Sequence, residues 1–301
     1  MPSLYPASDP IRAEWLSVGE GHHIYVEEAG LSSGLPVVFL HGGPGGGCKP
    51  SHRQFFDPGR YRSFLIDQRG AGRSTPCGEI FANTTQTLIA DLEHVRQWAN
   101  VERWVLFAGS WGAALALAYA EQYPARVLGM VLRGTFLARS RDMDWFLGAG
   151  AGRLLPQAWH AFTGATADIG QDIPSLHAAI FDADMTLALR VAQAWSAWST
   201  EVVMYGFDSA PHEPPLPDVE LLAKMRLELH YARAGYFLRD NQLLEEIARV
   251  PHVPTHLIHG QRDITCAPEA AWAVHQALPW STLEIIRTAG HLSGESKSKK
   301  H

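Results

Sequence analysis

Short apolar runs alternate with amphipathic segments in the first part of the chain and again near its end. The strand-like apolar runs cover residues 23–27, 36–40, 62–66, 104–107, 127–132, 255–259 and 282–287. Segments with apolar residues at helical spacing cover residues 83–101, 111–123 and 268–278. Because buried strands interleaved with helices assemble as βαβ units, this pattern predicts an α/β fold with a mostly parallel sheet flanked by helices.

The strand–helix alternation stops near residue 135 and returns near residue 248. The intervening sequence is rich in Trp, Ala and Leu, with helical runs at 185–203 and 221–237 and a Pro-rich hinge at 211–218 between them. A segment of about 110 residues is long enough to form a domain of its own. We therefore predict an α/β domain formed by residues 1–136 and 248–301, with residues 137–247 as an inserted helical cap domain.

Composition narrows the class of protein. Of 301 residues, 46% are hydrophobic and 19% are charged, which is typical of a folded globular chain. The net charge of −6 argues against binding to a nucleic-acid backbone or an anionic membrane. Three widely spaced cysteines indicate a reducing compartment, and no membrane-length apolar run or signal peptide is readable. We therefore expect a cytoplasmic protein, with a polar tail at 293–301 that frays.

Ser110 is the first candidate for chemistry. It lies between a buried strand and a helix, in the sequence Ala-Gly-Ser-Trp-Gly at 108–112. Small residues beside a serine allow the sharp strand-to-helix turn that exposes a nucleophilic hydroxyl, and the usual pattern G-x-S-x-G differs here only at Ala108. Taken alone, the pattern equally suits an ordinary serine-glycine turn.

A glycine-rich turn, His-Gly-Gly-Pro-Gly-Gly-Gly at 41–47, follows directly on an apolar strand. A phosphate-binding P-loop is disfavoured because no Gly-Lys-Ser/Thr follows. A dinucleotide site is disfavoured because no helix begins there and Lys49–Pro50 interrupts the segment. The turn is better explained as a loop whose backbone N–H groups stabilise an oxyanion.

Asp263 and His291 complete a candidate catalytic set. Each follows a predicted strand, as Ser110 does, so all three are expected at the edge of the sheet where active sites form. Their order along the chain, Ser then Asp then His, is that of α/β-hydrolases. His252, His256 and His259 suggest a metal site only weakly, because three residues so spaced on a strand do not share one face.

These motifs together resemble those of the proline iminopeptidases (prolyl aminopeptidases), a family of serine peptidases with the α/β-hydrolase fold. The likeness spans roughly residues 12–291. It is carried by HGGPGGG at 41–47, DQRGAGRS at 67–74, AGSWGA at 108–113 and HG-x-x-D at 259–263.

The resemblance implies a serine aminopeptidase that releases an N-terminal proline, or a similar small residue, through an acyl-enzyme. Ser110 is then the nucleophile, His291 the base and Asp263 its orienting acid. The N–H groups of Gly43 and Trp111 form the oxyanion hole. The expected partner is a small peptide with a free N-terminus, and no metal or organic cofactor is implied.

The resemblance also assigns substrate-binding residues, with one departure. Glu228 matches a family glutamate that holds the substrate's amino group. A second family glutamate follows a W-S-x-W motif, where this chain has Ser199. Glu201, two residues further, reaches the same site only if the helix is locally shifted. The missing carboxylate favours an alternative, a carboxylesterase or acyl-amide hydrolase with the same triad.

A more distant alternative is a non-catalytic binding protein with a hydrolase fold. It is suggested by the C-terminal sequence, since only ten residues, nearly all of them polar, follow His291 where the family continues into a final helix. The intact Ser-Asp-His set argues against it. We expect a shortened family member of reduced stability.

Overall fold

Eight strands form one sheet in a computed structural model that describes residues 4–148, 150–207 and 215–292. In sheet order they are β1 (Arg12–Ser17), β2 (His23–Gly30), β4 (Tyr61–Asp67), β3 (Leu35–Leu40), β5 (Trp104–Gly109), β6 (Val127–Arg133), β7 (Thr255–Gly260) and β8 (Thr282–Ile286). Strands β3 to β8 run parallel, whereas β1 and β2 are antiparallel to their neighbours. The carboxyl ends of β3, β5, β6, β7 and β8 therefore meet at one edge.

The helices surround the sheet and fill the segment between β6 and β7. They are α1 (Thr85–Trp98), α2 (Trp111–Gln122), α3 (Ser140–Phe146), α4 (Ala151–Leu154), α5 (Pro156–Ala165), α6 (Ile173–Ile180), α7 (Met185–Val203), α8 (Asp218–Arg233), α9 (Gln242–Glu245) and α10 (Pro268–Ala277). Helix α2 is buried along nearly its whole length, because its Ala and Leu residues pack against the sheet. The predicted α/β fold with a mostly parallel sheet flanked by helices is confirmed.

Most of the buried apolar residues belong to two large hydrophobic clusters. One contains the sheet, α1, α2 and α10 together with Tyr231 and Tyr236. The other runs from Ala151 to Leu229, with Ile264 as its contribution from the sheet side. The inserted helices thus have an apolar core of their own, which supports the predicted cap at 137–247, although the domain boundaries themselves stay a prediction.

One expectation about local structure was wrong, and one strand was missed. Helix α8 does not continue to residue 237, because Gly235 and Tyr236 have φ angles of +56° and end the helical path after Arg233. Strand β1 was not predicted. It lies at the edge of the sheet, where only Leu16 is buried and Trp15 is 56% exposed, so it lacks a continuous apolar run.

Parts of two other predictions fall on residues outside the described ranges, namely residues 211–214 of the Pro-rich hinge and the tail at 293–301. Within the ranges that are described, none of the helices is both long enough and apolar enough to cross a membrane.

Candidate active site

Ser110 lies at the apex of the turn between β5 and α2. Its φ and ψ angles of 57° and −128° are strained for a non-glycine residue, as a sharp strand-to-helix turn requires. A Cβ atom on Gly109 would lie 2.5 Å from the Arg133 guanidinium, and one on Gly112 would lie 2.2 Å from the Leu40 carbonyl oxygen. Gly112 is therefore needed because the backbone at the end of β3 approaches the turn closely, whereas a methyl group at Gly109 would displace the Arg133 side chain.

Asp263 and His291 form a buried pair at the ends of β7 and β8. His291 Nδ1 lies 2.7 Å from Asp263 Oδ2. The other carboxylate oxygen, Oδ1, accepts backbone N–H groups from Thr265 and Cys266, each at 2.9 Å. Burial would raise the pKa of Asp263, but His291 and His259 outweigh it and hold the pKa well below its ordinary value. The carboxylate is therefore held ionised beside the imidazole.

His259 is a buried neighbour of this pair whose contact the sequence did not reveal. Its Nδ1 accepts the Thr135 N–H at 3.2 Å, so the ring proton lies on Nε2. That nitrogen donates to the Cys266 carbonyl at 2.8 Å and lies 3.4 Å from Asp263 Oδ2. His259 thus supports the loop that carries Asp263.

Residues 133–135, at the carboxyl end of β6, connect Ser110 with the Asp263–His291 pair. The Arg133 carbonyl accepts the Ser110 N–H at 3.0 Å, and the Arg133 guanidinium donates to the His291 carbonyl. Gly134 has a φ of +51°, and a Cβ there would lie 3.3 Å from both the Asp263 carboxylate and the His291 ring. The structure therefore gathers the three predicted residues around one short segment.

Cys266 lies between the same groups. Burial raises the pKa of its thiol well above the ordinary value, the charge of Asp263 raises it further, and a hydrogen bond with Ser110 opposes the rise. The thiol thus contacts Ser110 and stays neutral.

The glycine-rich turn packs against Ser110. A Cβ on Gly42 would lie 3.2 Å from the Ser110 Cβ, and Gly43, with a φ of +119°, has no room for one because Gly45 and Gly46 are too close. Within the described ranges, the backbone N–H groups of Gly43 and Trp111 have no hydrogen-bond partner. Both donors are therefore available to a ligand beside the serine.

Glu228 lies on cap helix α8, next to the residue that contacts this turn. The preceding residue, Leu227, would contact a Cβ on Gly45 at 3.3 Å, so the helix rests on the loop. Glu228 is 16% exposed and accepts the Trp195 indole N–H at 2.7 Å, with the Lys224 ammonium 3.9 Å away. Burial raises the pKa of Glu228, and Lys224 and Trp195 partly offset the rise.

Ser199 and Glu201, the other two cap residues considered for substrate binding, face different directions. Ser199 lies one turn after Trp195 on α7, and its hydroxyl is buried with no partner among the residues described. Glu201 is exposed and lines an outer groove of about 830 Å³ between α5 and α7. Helix α7 runs unbroken from Met185 to Val203, so Glu201 is not shifted toward the site.

The histidines considered as metal ligands have other partners. His256 lies 2.7 Å from the Thr282 hydroxyl on the exposed side of β7, and the His252 ring packs against Trp280 with centroids 4.4 Å apart. In the described part of the chain, no three His, Cys, Asp or Glu side chains are grouped as metal ligands.

Comparison with known proteins identifies the family. Residues 36–298 match the alpha/beta hydrolase fold family. A probable proline iminopeptidase of Leptolyngbya boryana is 41% identical over 97% of this chain and 92% of its own length. Proline iminopeptidases of Xylella fastidiosa (strain Temecula1) and Arabidopsis thaliana are 40% and 38% identical, over 99% and 97% of this chain and 96% and 78% of their own lengths.

Solved structures agree on the fold. A proline iminopeptidase-related protein from Thermus thermophilus superposes with a TM-score of 0.60 at 21% identity, covering 93% of this chain and 90% of that one. An esterase from Exiguobacterium antarcticum gives a TM-score of 0.60 at 22% identity, covering 90% of each. With relatives near 40% identity over almost the whole length, the chain belongs to the proline iminopeptidase family of α/β-hydrolases.

Proposed function

We propose that this chain is a serine aminopeptidase that releases an N-terminal proline, or a similar small residue, from peptides. The observation that carries the proposal is the arrangement of Ser110, Asp263 and His291 around residues 133–135, in a chain whose relatives are named proline iminopeptidases. A strained serine, an imidazole and an ionised carboxylate are the groups that nucleophilic acyl transfer needs.

In the first step, the Ser110 hydroxyl attacks the carbonyl carbon of the N-terminal residue. His291 takes the hydroxyl proton on Nε2, because its Nδ1–H is held by Asp263 at 2.7 Å. Asp263 remains ionised and stabilises the imidazolium that forms. Its low pKa suits this role.

The negative charge that develops on the carbonyl oxygen is stabilised by the free N–H groups of Gly43 and Trp111. The Trp111 N–H is the first of helix α2, so the helix N-terminus also favours an anion there. One such donor contributes about 3–4 kcal/mol to lowering a barrier.

The tetrahedral intermediate collapses when the peptide C–N bond breaks and His291 returns its proton to the leaving amine. The released residue is then an ester on Ser110. Water attacks this ester with His291 again as base, and the free amino acid departs as Ser110 recovers its proton.

Glu228 selects substrates with a free N-terminus. A largely buried carboxylate is costly to ionise alone, and a substrate ammonium beside it would compensate that cost. The indole of Trp195 orients the carboxylate through a 2.7 Å hydrogen bond. The carboxylate therefore attracts the charged amine and positions the adjacent carbonyl.

The second candidate function is ester or acyl-amide hydrolysis with the same triad. It is favoured by Ser199, whose neutral hydroxyl stands where the family has a second carboxylate. With one carboxylate instead of two, the site attracts a cation less strongly.

Three substrates separate these functions: proline p-nitroanilide, its N-acetylated form and p-nitrophenyl acetate. The aminopeptidase proposal predicts cleavage of the free amine at least about 100-fold faster than the acetylated anilide, because one desolvated ion pair contributes about 3 kcal/mol or more. Equal rates for the two anilides, or cleavage of the ester alone, would favour the esterase.

We also propose that the enzyme acts on peptides in the cytoplasm. Cys48, Cys77 and Cys266 are all free thiols in the structure, which agrees with a reducing compartment.

A further inference from the structure

Gln68 connects the two loops that carry the free N–H groups. It is the first residue after β4 and is 4% exposed. Its side-chain amide donates to the His41 carbonyl at 3.0 Å and accepts the Trp111 indole N–H at 3.0 Å. Its backbone N–H donates to His41 Nε2 at 3.0 Å. Gln68 thus holds the start of the glycine-rich turn and the residue after Ser110 at once.

These contacts determine the tautomer of His41. Because Nε2 accepts a hydrogen bond from the Gln68 backbone N–H, the ring hydrogen lies on Nδ1, which donates to the Gly42 carbonyl at 2.9 Å. Burial lowers the pKa of His41, partly opposed by Asp67. The neutral ring therefore fixes the backbone directly before Gly43.

The indole of Trp111 is restrained on its other sides by aromatic rings. It stacks on Tyr236 with centroids 5.4 Å apart and meets Tyr231 at 5.1 Å. The hydrogen bond to Gln68 supplies the remaining restraint. The indole and the backbone N–H extend from the same residue, so holding the ring anchors the Cα atom next to that N–H.

A primary amide satisfies both side-chain contacts at every pH. The His41 carbonyl can only accept and the indole can only donate, so the bridging group needs one donor and one acceptor. A carboxylate would meet the Trp111 indole but repel the His41 carbonyl. A protonated carboxylic acid would satisfy both.

We propose that Gln68 is a positioning residue for the oxyanion hole, which sets the distance between the Gly43 and Trp111 N–H groups. This inference rests on the proposed acyl-transfer function. A shift of about 1 Å in a catalytic donor costs about 100-fold in rate. Losing either of the two side-chain hydrogen bonds of Gln68 should therefore lower kcat by about 10- to 100-fold.

The test compares Gln68→Glu, Gln68→Met and wild type on proline p-nitroanilide between pH 6 and pH 9. At pH 9 both variants should lose about 10- to 100-fold in kcat, with KM changed less than threefold. On lowering the pH, the ratio of variant to wild-type kcat should rise for Gln68→Glu, whose acid form restores the bridge, and stay flat for Gln68→Met. Asp67, Lys224 and the His41 ring are present in all three proteins, so comparing Gln68→Glu with Gln68→Met removes their direct effect on kcat.

Binding of pyrrolidine-2-boronic acid gives a readout independent of turnover. Boronates form a tetrahedral adduct with a nucleophilic serine, so the inhibition constant should rise at least tenfold in both variants at pH 9. Exposed Gln97 on α1 provides the matched control, and Gln97→Glu should leave both measurements unchanged. If the Gln68 variants do not fold, Trp111→Phe removes the same indole hydrogen bond and should lower kcat with KM preserved.

The experiments distinguish a failure of the positioning role from a failure of the proposed function. If wild type cleaves the anilide and both Gln68 variants match it in kcat and boronate affinity, the positioning role is wrong. A kcat loss without the pH-dependent recovery of Gln68→Glu also contradicts it. If wild type itself neither cleaves the anilide nor binds the boronate, the proposed function fails instead.

Discussion

The guanidinium of Arg133 donates a hydrogen bond to the backbone carbonyl of His291, which couples the end of β6 to the loop that carries the imidazole. The same arginine accepts the backbone N–H of Ser110 through its own carbonyl, at 3.0 Å. Arg133 thus contacts the backbone of both Ser110 and His291, the two residues between which the proton is proposed to move. The distance between Ser110 and His291 therefore depends on Arg133.

Replacing Arg133 by Gln should lower kcat on proline p-nitroanilide by about tenfold or more, because the His291 loop loses its charged donor. The Ser110 backbone contact is retained in this variant. Exposed Arg103, mutated to Gln, is the control and should behave as wild type. Full activity of the Arg133→Gln enzyme would show that the loop is held by other contacts.

Gly134→Ala should impair catalysis more than stability. The left-handed backbone at this position costs an alanine about 1 kcal/mol, and the new methyl group would press on Asp263 and His291 at 3.3 Å. Gly21, with a φ of +77° and no atom within 4 Å of its Cβ position, is the matched control. Gly21→Ala should lose similar stability but keep kcat. Equal kcat in the two variants would contradict the crowding argument.

Glu228→Gln should raise KM for proline p-nitroanilide by about tenfold or more and leave p-nitrophenyl acetate hydrolysis within twofold of wild type. The reason is that only the anilide carries an ammonium to be paired. Glu201→Gln is the control, because Glu201 lies on the outer groove of the cap. A KM effect from Glu201 and none from Glu228 would reverse the assignment.

Glu121 should make stability depend on pH. Burial, followed by the charge of Glu246, raises the pKa of this α2 carboxyl from 4.5 to about 8, with Arg249 opposing. Between these values the folded state holds a proton that the unfolded chain has lost, so wild-type stability falls as the pH rises from about 4.5 to about 8.

Glu121→Gln removes that titration. Relative to wild type, its free energy of unfolding should increase progressively over this pH range, by about 4 kcal/mol or less in total. Denaturant unfolding at pH 5, 6.5 and 8 measures the difference, with exposed Glu102→Gln as control. A difference that does not vary with pH would show that Glu121 is ionised in the fold.

The central strands could be predicted from sequence because β3, β5 and β6 are apolar along most of their length. The candidate triad was predictable because each member follows a predicted strand, Ser110 directly after β5 and Asp263 and His291 within a few residues of the ends of β7 and β8. Strand β1 could not be predicted in this way, because an edge strand buries few side chains and its sequence contains no apolar run.

The supporting residues were harder to predict, because their roles arise from tertiary contacts. Gln68 and Arg133 are polar residues at the carboxyl ends of buried strands, which is a signal the triad shares, but nothing in the sequence shows what they bond. The role of His259 depends on Thr135, which is 124 residues away in the chain. The direction of Glu201, by contrast, follows from helical spacing once α7 is known to be unbroken.

The most direct test of the account is the hydrolysis of proline p-nitroanilide by wild type and by Ser110→Ala, with mass spectrometry of the rapidly quenched enzyme. We expect Ser110→Ala to lose about 10⁴-fold or more in kcat and a prolyl ester to be trapped on Ser110 in wild type. Substantial turnover by Ser110→Ala, or an acyl group trapped on another residue, would contradict it.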